Sequence, residues 1–289
     1  QVCICVPIIV FQFCKGKEFF SKEYWGYALR IGIPIVPHYL SGIILNQGDR
    51  IMIDKMVGKT EVALYGLAYS IGMLVQLFIS GMNSALTPWM YSKIKKGDIR
   101  SMRKVLQLLS IVVVGIAVAL MLISPELVLI FGSPKYREAV YVIPPVAASV
   151  FFIFIYNILS MPQFYYEKTQ FLMAASMAAA GANVVLNFIF IRLFGYIAAG
   201  YTTLACYMLY SVGHYIVSKR ILVNEGIQEN LMNPGFLLAC SVFLIGASII
   251  CNLIFPYRIL RYAILLASAG LVFWKKELLL KTMADIRKK

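Results

Sequence analysis

The sequence predicts an all-α, polytopic bundle of membrane-spanning helices, on three observations. Hydrophobic residues make up 61% of the 289 and charged residues only 14%, against roughly 45–50% and 25% in soluble domains. The charges cluster, leaving apolar runs of about 17 to 25 residues, the length that crosses a hydrocarbon core of roughly 30 Å. The runs are continuous and do not alternate, so helices rather than barrel strands are implied.

In chain order, Val2 to Cys14 is apolar but short of a full crossing. With Gln1 ahead of it, 1–14 reads as the end of a truncated transmembrane helix, followed by a cytoplasmic linker at 15–23. A signal peptide is disfavoured, because no basic stretch precedes the apolar run and no small-residue cleavage site follows it. Full crossings are expected at 27–49, 62–90, 104–123, 139–161, 170–191, 197–217, 234–255 and 258–274. Gly132-Ser133-Pro134, Gly195 and Asn233-Pro234 punctuate the connections between them. The loops are short, which excludes an inserted soluble catalytic domain.

Orientation follows from Lys and Arg in the short loops, since cytoplasmic loops retain positive charge. The linker, the loops near Lys93–Lys104, Lys168 and Lys219–Arg220, and the tail at 275–289 together carry 18 of them; the alternate loops carry 7. The C-terminus is therefore expected in the cytoplasm. Membrane topology also accounts for the net charge of +14 without a nucleic-acid partner, because the basic residues lie between hydrophobic segments rather than on one surface. Cys3, Cys5, Cys14, Cys206, Cys240 and Cys251 all lie in apolar runs without zinc-ligand spacing. They read as buried small hydrophobes, and no cofactor or metal is expected.

Polar residues inside spans are candidate functional sites, because a mid-membrane charge costs on the order of 2.5–3.5 kcal/mol on insertion scales. The first full span is the richest. At 100° per residue Arg30, Pro34, His38, Ser41, Gly42, Asn46 and Asp49 fall within an arc of roughly 160°, a stripe expected to face the bundle interior or a wet cavity. Arg30 and Asp49 lie roughly 28 Å apart along the helix and so mark opposite ends of the span. Arg30 reads either as a pathway cation or as a snorkelling anchor; Asp49 and Arg50 read as pathway groups, an ion pair or a helix-end anchor. His38 reads as a proton relay or a hydrogen-bonded packing residue. Gln76, Asn83, Asn157, Asn183, Asn187, Thr202, Thr203 and His214 add amides, hydroxyls and a second imidazole on later spans, as sugar contacts or as interhelical glue.

Leu29-Arg30-Ile31-Gly32-Ile33-Pro34, Leu40-Ser41-Gly42-Ile43-Ile44-Leu45 and Asp49-Arg50-Ile51-Met52-Ile53 resemble, in that order, the polysaccharide flippases of the MATE-like superfamily. Gly66-Leu67-Ala68-Tyr69-Ser70, Phe131-Gly132 with Tyr136, and Tyr166-Glu167-Lys168-Thr169 extend the resemblance along nearly the whole chain. It implies two six-helix bundles around a central cavity, of which this chain would supply the second half: a six-helix bundle at 24–217, two additional transmembrane helices at 218–274 and a basic cytoplasmic tail at 275–289. It further implies that lipid-linked oligosaccharide is flipped across the bacterial cytoplasmic membrane for surface polysaccharide, by alternating access, with proton or sodium antiport as driving force. Membrane lipids and polysaccharide-assembly proteins are the other implied partners. Arg30 becomes a cavity cation near the cytoplasmic mouth, and Asp49 and Arg50 occupy the signature position. Arg30, His38, Ser41, Asn46, Asp49, Arg50, Gln76, Asn83, Asn157 and Asn187 are the expected substrate-pathway residues.

A cation-coupled multidrug exporter of the same superfamily and a membrane enzyme or scaffold of polysaccharide synthesis are the alternatives. An enzyme is disfavoured: His38 and His214 form no HExxH motif, and no outside loop pairs a nucleophile with a base.

Overall fold

In the computed structural model, which describes residues 2–16 and 20–274, ten α-helices follow one another among the described residues. They are α1 (Val2–Gly16), α2 (Lys22–Met56), α3 (Lys59–Gly72), α4 (Leu74–Lys95), α5 (Ile99–Phe131), α6 (Ile143–Tyr165), α7 (Thr169–Phe194), α8 (Ala198–Asn224), α9 (Pro234–Ile254) and α10 (Arg258–Trp274). A 3-10 segment, Pro134–Val142, leads into α6. The chain is a polytopic all-α membrane bundle, as expected. The basic tail at 275–289 and residues 17–19 of the linker lie outside the described residues.

Among the described residues six segments are long and apolar enough to cross a membrane: Lys22–Met56, Lys59–Lys95, Ile99–Phe131, Pro134–Tyr165, Thr169–Phe194 and Pro234–Ile254. Two of the eight expected crossings differ. Helix α8 has the length, 27 residues, but Thr202, Thr203, Ser211, His214 and Ser218 make it more polar. All five are buried, because α8 packs against α6 and α7 and gives its polar side to protein rather than lipid. Helix α10 is one of the shorter ones, at 17 residues.

Helix α6 is the centre of the bundle. Every side chain from Val142 to Ile155 is buried, the pattern of a helix apolar all round and enclosed by neighbours. Helices α4, α5, α8 and α9 pack directly on it, while α2 lies against α7 and α3. The other face of α2, with Ile33, Val36, Tyr39, Leu40 and Ile43, is exposed. With α3 and α4 counted as one span, successive spans joined by short connections alternate in direction, so one end of the bundle carries Lys93, Arg100, Lys168 and Lys219 and is the more basic.

The expected crossing at 62–90 is broken at Met73, between α3 and α4. Here α3 closes tightly on α6: a Cβ added to Gly72 would lie 2.7 Å from Val146 Cγ1. Only a glycine allows that approach. Gly72→Ala is expected to cost about 1–3 kcal/mol through overpacking, read as a lower melting temperature in detergent; an unchanged midpoint would show that the contact relaxes freely. Helix α7 ends at Gly195, whose φ of 73° with ψ of −169° is a backbone conformation essentially confined to glycine. Helix α9 begins as its sequence signals, with Asn233 accepting from the Gly235 and Phe236 amides and Pro234 in the first turn.

Helix α5 runs to Phe131 rather than 123, which places Glu126 inside it. Arg261, at the start of the expected 258–274 crossing, is buried: it donates to both Glu126 carboxylate oxygens at 2.8 Å and to the Leu122 carbonyl at 2.6 Å. This fork ties α10 to α5. At the opposite end Arg103 donates to the Asn230 carbonyl at 2.7 Å, and Glu229 pairs with Arg100, holding the α8–α9 loop against the start of α5.

Candidate functional site

Helix α2 positions the site. It runs 35 residues through Pro34 and Pro37, each of which removes one backbone donor from the helical ladder. In the loosened turn the Thr169 hydroxyl of α7 donates to the Ile31 carbonyl at 3.4 Å. Further along, Asp49 turns inward and is fully buried. It is no helix-end anchor, since α2 continues to Met56, and no ion pair with Arg50 occurs among the described residues.

Four helices converge on that carboxylate. The Tyr65 hydroxyl of α3 and the Thr203 hydroxyl of α8 donate to Oδ2 at 2.5 and 2.6 Å. The Asn187 amide of α7 donates to Oδ1 at 2.6 Å. Asn187 is itself oriented, because its carbonyl oxygen accepts from Thr202 and its Nδ2 reaches Asn183 Oδ1 at 3.1 Å. Asn183 Nδ2 is buried with no partner. Among the described residues no Lys or Arg pairs with Asp49. A buried carboxylate without a cation is costly even when hydrogen-bonded, so the pocket is suited to a proton or a hard cation that takes oxygen ligands. No cluster of three or more His, Cys, Asp or Glu with metal-holding potential occurs among the described residues.

Beside Asp49, Asn46 accepts from the Tyr69 hydroxyl at 2.7 Å and donates to the Gly42 carbonyl at 2.7 Å. Arg50 points the other way: its guanidinium lies 5.3 Å from the Tyr69 ring centre and donates to Gln47 at 3.1 Å. A cleft of about 600 Å³ between α2 and α3 opens there, lined by Tyr39, Asn46, Gln47, Arg50, Tyr69 and Ser70 among others. Nearer the basic end, Ser41 is buried against the Pro37 carbonyl, and His38 Nδ1 lies 3.0 Å from the Tyr210 hydroxyl and 3.1 Å from Ser176 Oγ. Arg30, at one end of the stripe, is exposed. It lines a cavity of about 430 Å³ with Lys168, Thr169 and Glu167, and Glu167 is held by the Tyr27 hydroxyl at 2.6 Å.

The expected stripe is therefore partly gathered. Asp49 and Asn187 meet, Asn46 and Arg50 share a cleft, and His38 sits between α7 and α8. Gln76, Asn83 and Asn157 are half-buried and join none of these groups. Tyr65 and Lys168 were not singled out as site residues from sequence; only the fold brings them to Asp49 and Arg30.

The bundle and its buried polar groups define a multi-pass membrane protein. Residues 3–95, which include Arg30, Asp49 and Tyr65, match the polysaccharide biosynthesis protein family. The chain is similar to the Lsg locus putative protein 1 of Haemophilus influenzae, at 28% identity over 56% of this chain and 42% of that protein. It is also similar to a second protein of that organism, described as an uncharacterized membrane protein, at 29% identity over 54% of this chain and 40% of the relative. The chain thus spans less than half of the length of the curated relatives it matches. No solved structure matches it. The likeness to polysaccharide flippase-type proteins read from the motifs is borne out by these matches.

Proposed function

We propose that the chain is the part of a transporter that carries lipid-linked oligosaccharide of the polyprenyl-pyrophosphate type across the bacterial cytoplasmic membrane, by alternating access, for surface polysaccharide assembly. The observation that carries this reading is α2 itself. Asp49 is buried with no cationic partner, while Asn46 and Arg50 beside it open onto one cleft and Arg30 lines a second at a cationic mouth toward the basic end.

Arg30 and Lys168 at that mouth suit a pyrophosphate, since a guanidinium forks onto phosphate oxygens and an ammonium adds a point charge. The basic end faces the cytoplasm in this reading, where the loaded lipid is made. Asp49 supplies the coupling site. A proton on its carboxylate, or a sodium ion among the oxygens of Asp49, Asn187 and Thr203, removes the uncompensated charge and alters how α2 is held against α7 and α8. Release of that ion restores the three-donor arrangement, so the two states differ in what α2 grips.

The test is export of glycan in cells that depend on the protein. Arg30→Ala is expected to reduce export roughly tenfold or more, the scale of a lost charged hydrogen bond, while Arg30→Lys keeps a substantial part and both variants insert normally. Equal export by the two variants and wild type would remove Arg30 from the route.

A further inference from the structure

A second feature lies apart from α2. Between α6, α8 and α9 the surface folds into a groove of about 280 Å³, lined by Phe151, Phe152 and Ile155 of α6, Met208, Val212 and Tyr215 of α8, and Leu237 and Leu238 of α9, with Pro234, Ser211 and Ser241. Its polar lining atoms are satisfied internally: the Ser211 hydroxyl donates to the Phe152 carbonyl at 2.9 Å and that of Ser241 to the Leu237 carbonyl at 2.7 Å. From Met208 to Tyr215 the groove follows α8 for roughly 10 Å. Val212 and Leu238 on its rims are exposed.

The groove reaches the basic end of the bundle. Met208, Val212, Tyr215 and Lys219 follow one another at spacings of four, three and four residues, so Lys219 continues the same face of α8 beyond the apolar lining. Lys219 is exposed and has no carboxylate in ion-pair distance among the described residues. Arg103 lies close enough to Tyr215 to act on its hydroxyl. Glu229 is shared between Arg100 and Arg103, so this end stays net positive even with that carboxylate counted. An apolar slot about two helical turns long, ending at an ammonium with no ion-pair partner among the described residues at the basic end of the bundle, has the chemistry of one acyl chain joined to a phosphate.

We infer that the α6–α8–α9 groove binds one anionic phospholipid of the surrounding bilayer, its acyl chain against Phe152, Val212 and Leu238 and its phosphate at Lys219. The inference is independent of the transport reading. It makes the groove a lipid site, which anionic lipid content of the membrane would occupy and which fastens α9 to the bundle.

The test is native mass spectrometry of the chain, released from mild detergent with equal amounts of phosphatidylglycerol and phosphatidylcholine. Wild type is expected to retain one phosphatidylglycerol in preference to phosphatidylcholine. Lys219→Gln is expected to lower that retention about fivefold, the scale of one basic residue at an anionic surface, and to leave phosphatidylcholine unchanged. Ser241→Trp, which fills the slot, is expected to abolish retention of both; should it not give a monodisperse protein, the exposed Lys219 variant decides. Equal retention of the two lipids, an unchanged ratio in Lys219→Gln, or a second copy of the chain in place of lipid would each overturn the inference.

Discussion

Asp49→Asn is expected to abolish glycan export in a protein that still folds, whereas Asp49→Leu is expected to lose about 3–5 kcal/mol of stability as well. The difference lies in three donors. Tyr65, Thr203 and Asn187 all give their protons to the Asp49 carboxylate inside a fully buried pocket. A leucine leaves each without an acceptor, and a buried orphaned donor costs roughly 1–3 kcal/mol. An asparagine keeps one oxygen and nearly the same volume, and the two hydroxyls can turn toward it. What asparagine lacks is the capacity to take up and release a charge. Export together with melting in detergent separates the two effects; export by Asp49→Asn at the wild-type rate would strip Asp49 of any coupling role.

Arg261→Met is expected to be the most destabilising change on the far side of the bundle, at about 3 kcal/mol. It leaves Glu126 inside α5 without either of its forked hydrogen bonds and the Leu122 carbonyl without the bond it accepts from the guanidinium. Removing one member of a buried pair costs about 3–5 kcal/mol, and the side chain of Glu126, 25% exposed, places this case at the low end. The double variant Arg261→Met with Glu126→Leu is expected to recover most of the loss, because an apolar pair of similar volume replaces a buried charge pair at little cost. A double variant no more stable than Arg261→Met would show that the helices are held by packing around the fork rather than by the ion pair.

The class of fold was legible because it rests on composition and run length, which the bilayer imposes directly. The polar stripe on α2 was legible for the same reason: a 100° step places Ser41, Asn46 and Asp49 on one side whatever surrounds them. What completes the site was not. Tyr65, Asn187 and Thr203 are 16, 138 and 154 residues from Asp49, and no spacing along the chain encodes a meeting of four helices. The break at Met73 was equally hidden, since the reason for Gly72 is Val146, on another helix. The pairing of Arg261 with Glu126 was hidden too, because Glu126 stood beyond the expected 104–123 crossing and 135 residues from its partner. Arg30 stands at the end of the stripe that its spacing from Asp49 marks, and lines a cavity there with Lys168.

The account turns on whether the open face of α2 is wet. In protein lacking the six native cysteines, single cysteines at Tyr39 and Gln47 on that face, and at Val212 on the lipid-facing groove, are exposed to a membrane-impermeant maleimide in intact vesicles. Tyr39→Cys and Gln47→Cys are expected to label rapidly and Val212→Cys slowly, because a thiol in hydrocarbon does not ionise. Labelling at Tyr39 and Gln47 no faster than at Val212 would mean that α2 faces acyl chains, and the proposed route would not exist.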